Sequence, residues 1–349
     1  MSVSIKDVAA RARVSVGTVS NVLNSRERVS TDVATRVDDA IRDLGYVRND
    51  AARQLRAGRS TAIGLVILDV GNPFFTDLAR GAEDEAMAAG YSIILGNSDE
   101  KADREAAYLD LFEQQRMRGV LISPLGDITD RLQRLRERGI PAVLVDRTTA
   151  DPSFSSVSVD DIAGGALAME HLVAIGRRHV AFVGGPVSIR QVSDRLEGAR
   201  RAASLHPGTK LEVVEVDALS VLAGRTAGLD IVARQPADRP DAIFAANDLV
   251  AVGVLQALVM NGSTVRVPDE IALVGYDDID FARATVFPLT SVRQPSALIG
   301  QTAVRILLEE AGDPTIEPRQ VVFQPELVVR QSTVRQAPDA GNNAATSPA

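Results

Sequence analysis

The sequence predicts an α/β protein in which a small helical head precedes a body of two doubly wound parallel sheets. From residue 61, ten apolar runs alternate with helix-length amphipathic stretches, which is typical of parallel βαβ units with both sheet faces covered. Ten strands are too many for one ordinary open sheet, so we expect two subdomains. Charge is also uneven: residues 1–60 carry a net charge of +4 and the remaining residues carry −12. A basic head on an acidic body indicates that only the head contacts a polyanion.

Three short helices account for the head. They are predicted at about 5–12, 16–24 and 31–44. Each follows a serine that can serve as its N-cap: Ser4, Ser15 and Ser30. The third helix ends at Gly45, a natural residue for a left-handed C-terminal position. Because a tight turn separates the first two helices, they form a predicted helix-turn-helix.

The second helix carries the candidate base-reading surface. Its N-terminal part has small, nearly uncharged side chains that allow close approach to the major groove. Asn21 can offer a donor–acceptor pair to a base edge, and phosphate contacts would come from the flanks. The predicted contacts in the head are Lys6, Ser15, Val16, Gly17, Thr18, Asn21 and Arg26. The alternative is a small helical subdomain that merely packs.

The segment RNDAARQLRAG, residues 48–58, favours DNA binding over packing. It is helix-prone, yet Leu55 is its one large apolar side chain, so it has no stripe to bury against a core. A lone leucine among arginines suits insertion into a minor groove, with the arginines on the phosphates. The predicted contacts here are Asn49, Arg53, Leu55 and Arg56. The alternative is a flexible linker.

Several stretches together carry a family resemblance. They are IKDVAARARVSVGTVSNVLN, NDAARQL, GNPFF, FAANDLVAVG, VGYDD and LTSVRQP. In this order they resemble the lactose/galactose-repressor (LacI/GalR) family over nearly the whole chain. The resemblance implies a homodimeric repressor that reads a pseudo-palindromic operator. It also implies a periplasmic-binding-protein-like body that takes a small effector between two subdomains.

The resemblance also sets the expected domain organisation. We expect a helix-turn-helix head at 1–47, a hinge at 48–60, an effector-binding and dimerisation domain at 61–333 and a disordered tail at 334–349. In the family architecture the chain crosses between subdomains three times. Subdomain 1 would then comprise about 61–160 and 291–321, and subdomain 2 about 161–290 and 322–333. The family's leucine-repeat tail, which makes some members tetramers, has no counterpart after residue 330.

The carboxyl ends of the predicted strands indicate the effector site, because ligands of open α/β sheets bind there. Short polar side chains, one arginine and a phenylalanine pair suit a polyhydroxylated ligand, and we expect a monosaccharide. The predicted effector contacts are Asn72, Phe74, Phe75, Ser123, Asp146, Gln191, Arg195, Leu219, Asn247, Asp277 and Gln294. Further polar residues at strand ends are Asp69, Asn97, Arg147 and Asp160.

Alternatives remain open for this site. Any of the Asp and Asn residues could instead cap the helix that follows it. The resemblance most favours Phe75, Asp146, Arg195, Asn247 and Asp277, and it places Leu219 where many members have an aromatic lid. A purine-type ligand is an alternative because Phe74 and Phe75 could sandwich a base. We expect Arg195 and Asp277 to control the effector response while leaving operator binding unchanged.

Other functional classes are disfavoured. The sequence has no GxxxxGK[ST] and no strand-linked GxGxxG, so an α/β enzyme is the weaker alternative. It has no cysteine, and its three histidines lack metal-ligand spacing, so no cofactor or metal is predicted. No signal segment or membrane-length apolar run occurs, which favours a cytoplasmic protein over a transport-binding protein. The predicted function is a DNA-binding transcriptional repressor of carbohydrate catabolism or uptake genes. A purine- or other non-sugar-responsive regulator is the alternative.

Overall fold

The computed structural model describes residues 3–46, 60–149, 151–260, 262 and 265–334. The chain divides into two compact units, Met1–Arg59 and Ser60–Ala349. In the first, the head, the described helices are α1 (Ile5–Ala12), α2 (Val16–Asn24) and α3 (Thr31–Leu44), with a 3-10 turn at Arg26–Arg28. These bounds agree with the helices that the sequence predicts.

The head folds around aliphatic side chains from all three helices. Val8, Val19 and Val37 are fully buried at its centre. At the start of α1, Ser4 donates its backbone N–H to the Asp7 carboxylate at 2.8 Å, which confirms the expected cap. The α3 cap differs from expectation, because the residue at its N-cap position makes no side-chain capping hydrogen bond.

The body, the second unit, contains two six-stranded sheets. In chain order the strands are β1 (Ala62–Ile67), β2 (Ser92–Asn97), β3 (Val120–Ile122), β4 (Ala142–Val145), β5 (Ser155–Val159), β6 (His179–Gly184), β7 (Lys210–Glu215), β8 (Ala242–Ala245), β9 (Ala272–Asp277), β10 (Thr290–Arg293), β11 (Gln320–Phe323) and β12 (Glu326–Val328). The first sheet has the order β11-β5-β4-β3-β1-β2 and the second β12-β10-β9-β8-β6-β7. All pairs are parallel except β10 with β12. The predicted pair of doubly wound sheets is therefore confirmed.

Helices cover both sheets. They are α4 (Pro73–Ala88), α5 (Ala102–Gln114), α6 (Thr129–Glu137), α7 (Asp161–Ala174), α8 (Arg190–Ser204), α9 (Val221–Ala233), α10 (Asp248–Val259), α11 (Asp280–Ala284) and α12 (Ser296–Gly312), with a 3-10 turn at Pro236–Asp238. The ten apolar runs of the sequence correspond to β1–β9 and β11, so the pattern did not predict β10 and β12.

The chain passes between the sheets three times, after β5, β10 and β11. The second and third passages follow residues 293 and 323, slightly later than the expected boundaries at 290 and 321, because β10 pairs with β9 and β11 pairs with β5. Loops at the carboxyl ends of strands from both sheets line a common cavity. Within the described ranges, no helix is both long and apolar enough to span a membrane.

Candidate functional site

A small cavity lies between the two sheets of the body, with about 30 Å³ of open space. Nine of the eleven predicted effector residues line it, together with four others. The lining residues are Leu68, Asp69, Asn72, Phe74, Phe75, Glu100, Asp146, Ile189, Gln191, Arg195, Leu219, Asn247 and Asp277. The rule of strand carboxyl ends therefore brings most of the predicted side chains together.

Two predicted residues do not line the cavity. Ser123 is fully buried, and its hydroxyl has no hydrogen-bond partner among the described residues. Gln294 lies behind Asp277 and donates its amide to Oδ1 of that carboxylate at 2.7 Å. Sequence reasoning missed Leu68, Glu100 and Ile189, which stand one or more residues away from a recognisable strand end.

Two asparagines both cap a helix and line the cavity. Asn72 Oδ1 accepts from the backbone N–H of Phe74 at 3.0 Å and opens α4. Asn247 Oδ1 accepts from the backbone N–H of Val250 at 2.9 Å and opens α10. Capping and ligand contact were alternatives at the sequence level, but an asparagine retains a free amide group after its oxygen has capped the helix. The two roles are therefore compatible.

Side chains from the two subdomains meet across this cavity. Asn72 Nδ2 donates to Asp277 Oδ2 at 3.3 Å. Gln191 Nε2 donates to the backbone oxygen of Asp146 at 2.7 Å and to its Oδ2 at 2.8 Å. The open space is far below the roughly 300–1,000 Å³ of typical ligand pockets. A ligand of ordinary size must therefore break these hydrogen bonds and form its own with the two carboxylates.

The two carboxylates stand on unusual backbone. Asp146 has φ 57° and Asp277 has φ 106°, both in the left-handed half of backbone space. Aspartate tolerates this region better than most residues, but such conformations still cost about 1–3 kcal/mol each. Packing of the sheets offsets this cost, because β4 and β9 are fully buried strands that fix the backbone just before Asp146 and at Asp277. Backbone strain of this kind is frequent at binding sites.

Arg195 occupies the floor of the cavity and is almost completely buried. Its Nε donates to Asp161 Oδ1 at 2.7 Å, and one terminal nitrogen donates to the backbone oxygen of Ala246 at 2.8 Å. The guanidinium also stacks on the Tyr276 ring, 3.7 Å from the centroid. A nitrogen of Arg195 lies 3.8 Å from Asp277 Oδ1. Arg195 is therefore part of a buried network as well as a cavity wall.

Burial dominates the electrostatics of this network. It raises the pKa of Asp277 to about 6, against the opposing effects of Arg195, Asn72 and Gln294. Burial also raises the pKa of Asp146 well above its ordinary range, and the nearby Asp161 carboxylate adds to the shift. Both carboxylates favour a partner that donates hydrogen bonds, because each is held away from water.

The aromatic pair does not fit the predicted purine site. The rings of Phe74 and Phe75 have centroids 5.0 Å apart and an interplanar angle of 74°. Rings at this angle pack edge to face on each other, so they cannot sandwich a flat base between them. The suggested sandwich is therefore wrong in this geometry, although both phenylalanines line the cavity.

A larger cavity of about 490 Å³ lies beside the first. Arg147 and Arg190 line it, but none of the eleven predicted effector residues does. Arg147 donates to the backbone oxygens of Pro124 and Gly126, and burial and the like charge of Arg190 lower its pKa. The smaller cavity is the candidate effector site, because side chains of both subdomains meet there on buried carboxylates.

Asp278, which directly follows β9, is engaged in ion pairs. Asp278 accepts from Arg293 Nε at 2.7 Å, and an Arg330 nitrogen lies 2.6 Å from its other oxygen. The described ranges contain no group of three histidine, cysteine or acidic side chains arranged to hold a metal. The carboxylate of Asp278 therefore serves the packing of the crossover region rather than a cation site.

The head presents the predicted base-reading surface on α2. Val16, Gly17 and Asn21 are exposed, whereas Val19 and Val22 face the core. Ser15 Oγ accepts from the backbone N–H of Thr18 at 3.0 Å, and the two hydroxyls are 2.9 Å apart, so capping engages both side chains.

The flanks of this surface carry the predicted phosphate contacts. Lys6 is exposed, and Arg26 pairs with Asp38 at 2.6 Å while its side chain remains 61% exposed. The remaining predicted contacts, Asn49, Arg53, Leu55 and Arg56, lie outside the described residues.

Both units match known protein families. Residues 4–49 match the sequence profile of bacterial regulatory proteins of the lacI family, and residues 169–333 match the periplasmic binding protein-like domain. The ribose operon repressor of Bacillus subtilis (strain 168) is 35% identical over 305 residues, covering 87% of this chain and 90% of that protein. The chain belongs to the LacI family.

Other LacI-family proteins share the whole architecture. The HTH-type transcriptional repressor PurR of Aliivibrio fischeri (strain MJ11) is 31% identical over 340 residues, covering 95% of this chain and 99% of that protein. The crystal structure of the lac repressor dimer bound to operator and the anti-inducer ONPF matches with a TM-score of 0.82. It is 27% identical, and the match covers 96% of this chain and 100% of that one. These LacI-family relatives are transcriptional repressors, and the protein is a regulator rather than an enzyme.

Proposed function

We propose that this protein is a dimeric, sequence-specific DNA-binding repressor whose operator affinity is set by a small polyhydroxylated effector. The observation that carries the proposal is the pairing of two surfaces in one chain. One is the exposed, small-residue face of α2, and the other is a cavity where two subdomains meet on buried carboxylates. A repressor needs the first surface to read DNA and the second to respond to a metabolite.

The effector side of the proposal rests on the chemistry of the cavity. Carboxylates and side-chain amides bind hydroxyl groups in pairs, and Asp146, Asp277 and Gln191 supply both kinds of group. Phe75 provides an apolar wall. A monosaccharide has this combination of many hydroxyls and one apolar face. Target genes for carbohydrate uptake or catabolism follow, in keeping with a relative named as the ribose operon repressor.

The DNA side rests on the head. Asn21 is exposed on α2 and is the candidate for a bidentate contact with adenine, while Lys6 and Arg26 flank it as phosphate contacts. A related repressor forms a dimer on its operator. Two heads related by a two-fold axis would read a pseudo-palindrome here as well. A protein that binds operator DNA would act in the cytoplasm.

The switch follows from the contacts across the cavity. Effector hydroxyls would replace the Asn72–Asp277 and Gln191–Asp146 hydrogen bonds, so binding changes how the two subdomains are held together. If the operator-bound form prefers one of these arrangements, effector and operator affinities are coupled by the same factor in both directions. The coupling is therefore measurable from either ligand.

One experiment tests both halves of the proposal. An operator is selected from randomised DNA with the full-length protein, and its affinity is then measured with monosaccharides and purine bases present. We expect one or more monosaccharides to change operator affinity at least fivefold. Asp277→Asn should retain operator binding and lose the response, whereas Glu83→Gln, on the exposed surface of α4, should behave as wild type. Selection of no consensus would refute the DNA half, and a response to purines alone would refute the effector half.

A further inference from the structure

Carboxylates outnumber cationic groups in the lining of the effector cavity. Its lining contains four carboxylates and one guanidinium: Asp69, Glu100, Asp146, Asp277 and Arg195. The only cation among them already has a partner, because Arg195 forms a buried ion pair with Asp161 at 2.7 Å. The four lining carboxylates therefore share one guanidinium, which also lies 3.8 Å from Asp277 Oδ1, and the lining carries an excess of negative charge.

Asp69 and Glu100 differ from the other lining carboxylates because they lie near each other and neither has a cationic partner. Neither Asp69 nor Glu100 lies within salt-bridge distance of a described lysine, arginine or histidine. The adjacent Asp99 shows the contrast, since it pairs with Lys101 at 2.7 Å and Arg104 at 2.9 Å. Burial and the nearby Asp69 and Asp99 raise the pKa of Glu100, as expected for a carboxylate that lacks compensation.

The backbone conformation that brings Glu100 to the cavity is energetically unfavourable. Asp99 and Glu100 have φ values of 55° and 53°, two consecutive non-glycine residues in the left-handed region. The backbone N–H of Glu100 donates to the oxygen of Leu68 at 3.2 Å, which ties the turn after β2 to the end of β1. Left-handed non-glycine residues persist where the surrounding structure over-determines them, often at ligand sites.

An independent observation points to a missing donor in the same cavity. Asp146 is only 3% exposed, yet its Oδ1 has no hydrogen-bond partner among the described residues. Its other oxygen accepts from Gln191. A buried carboxylate oxygen without a partner is costly, and it is satisfied when a ligand supplies an N–H or O–H group.

We infer that the effector is a polyol carrying a protonated amine, with the ammonium group bound near Glu100 and Asp69. This inference rests on the proposed function and specifies its ligand class. Hydroxyl groups of the ligand would hydrogen-bond to Asp146 and Asp277. Its ammonium group would supply the positive charge that Asp69 and Glu100, together called the acidic wall, lack. An ammonium beside two partly desolvated carboxylates gains more than a hydroxyl in the same place, and a phosphate there is repelled. The same arrangement thus selects against anionic sugars.

Isothermal titration of the full-length protein with matched probes tests this inference. Each hexose ring is offered as its 2-amino, neutral and 6-phosphate forms: glucosamine, glucose and glucose 6-phosphate, with the corresponding galactose and mannose compounds. In the ring series that binds best, the amino form should bind at least tenfold more tightly than the neutral form. The 6-phosphate should be the weakest of the three.

Variants then assign the preference to the acidic wall. Glu100→Gln keeps the size of the side chain and should reduce the amino preference to threefold or less, and Asp69→Asn should act in the same direction. Glu83→Gln, which removes an equal charge from the exposed surface of α4, should keep the full preference. Melting temperatures without added sugar identify any variant that fails to fold. If either Glu100→Gln or Asp69→Asn fails to fold, the amino preference of the other variant tests the inference.

The outcomes separate this inference from the proposed function. If a neutral sugar binds, shifts operator affinity and is not exceeded by its amino form, the repressor function stands and the amine inference is wrong. Tightest binding by a 6-phosphate, or an amino preference unchanged in Glu100→Gln and Asp69→Asn, would also overturn it. Failure of every amino sugar to bind would overturn the amine inference too, whatever the operator assay shows.

Discussion

Replacing Arg195 with alanine is expected to destabilise the body in addition to weakening effector binding. From the sequence, this residue was expected to act on the effector response alone. In the structure it holds Asp161 at 2.7 Å, and both side chains are less than 10% exposed. Removing one partner of a buried ion pair leaves the other charge uncompensated, which costs about 3–5 kcal/mol. With roughly 2–4 °C per kcal/mol for a large domain, the melting temperature should fall by roughly 6–20 °C near pH 7.

The loss should depend on pH in a defined direction. Burial raises the pKa of Asp161 above its model-compound value of 3.8, and Arg195 opposes that rise. Without Arg195 the pKa of Asp161 rises further, so the folded variant takes up a proton at a higher pH than the unfolded chain does. Proton uptake by the folded state stabilises it, so the cost of the unpaired charge begins to shrink as pH falls below the folded-state pKa and vanishes only below the unfolded-state pKa. The melting-temperature gap between wild type and Arg195→Ala should therefore narrow from pH 8 to pH 5.

Thermal unfolding of the full-length protein checks these expectations across that pH range. A double-mutant cycle with Asp161→Asn isolates the pair, and the double variant should recover most of the stability that Arg195→Ala loses at pH 7. Arg190→Ala is the matched control, because Arg190 pairs with Asp194 on the surface with 58% of its side chain exposed. Its melting temperature should change by only about 2 °C or less. If Arg195→Ala melts like wild type at pH 7 while effector binding is lost, the residue is a ligand group only and the reasoning is refuted.

Three further predictions concern the two proposed surfaces. Asn21→Ala should change the preferred operator base at a cost of about 1–3 kcal/mol, so identical selection profiles for variant and wild type would exclude direct readout by Asn21. Asp277→Asn should weaken effector binding roughly 10–100-fold at pH 7.5 by titration calorimetry. Because the pKa of Asp277 is about 6, wild-type affinity should also fall below that pH as the carboxylate is protonated, and the variant should lack this step. Gly165→Ala should lower both the melting temperature and effector affinity, since its Cβ would lie 2.0 Å from the backbone oxygen of Arg195; unchanged affinity would show that α7 does not position that residue.

The sequence predicted the positions of the site better than its contacts. Parallel sheets bring the carboxyl ends of their strands to one edge, so Asn72 and Asp146 could be placed at the edge of one sheet and Asn247 at the edge of the other, and the family resemblance implied that these two edges face each other. Glu100 could not be placed in this way, because it reaches the cavity through two left-handed residues that no periodicity signals. The angle between the phenylalanine rings was also inaccessible, since it depends on side-chain packing.

The choice of asparagine at two cavity positions has a physical explanation that joins fold and function. At residues 72 and 247 the side-chain oxygen caps a helix, while the amide donates to Asp277 in one case and to the backbone oxygen of Leu219, at 3.4 Å, in the other. Aspartate would cap equally well but would add charge to a cavity that already has too many carboxylates. Serine would cap, yet its short side chain lacks the second donor group that reaches Asp277 from residue 72 and Leu219 from residue 247. Asparagine alone among the good N-caps both ends the loop and supplies a neutral donor to the site.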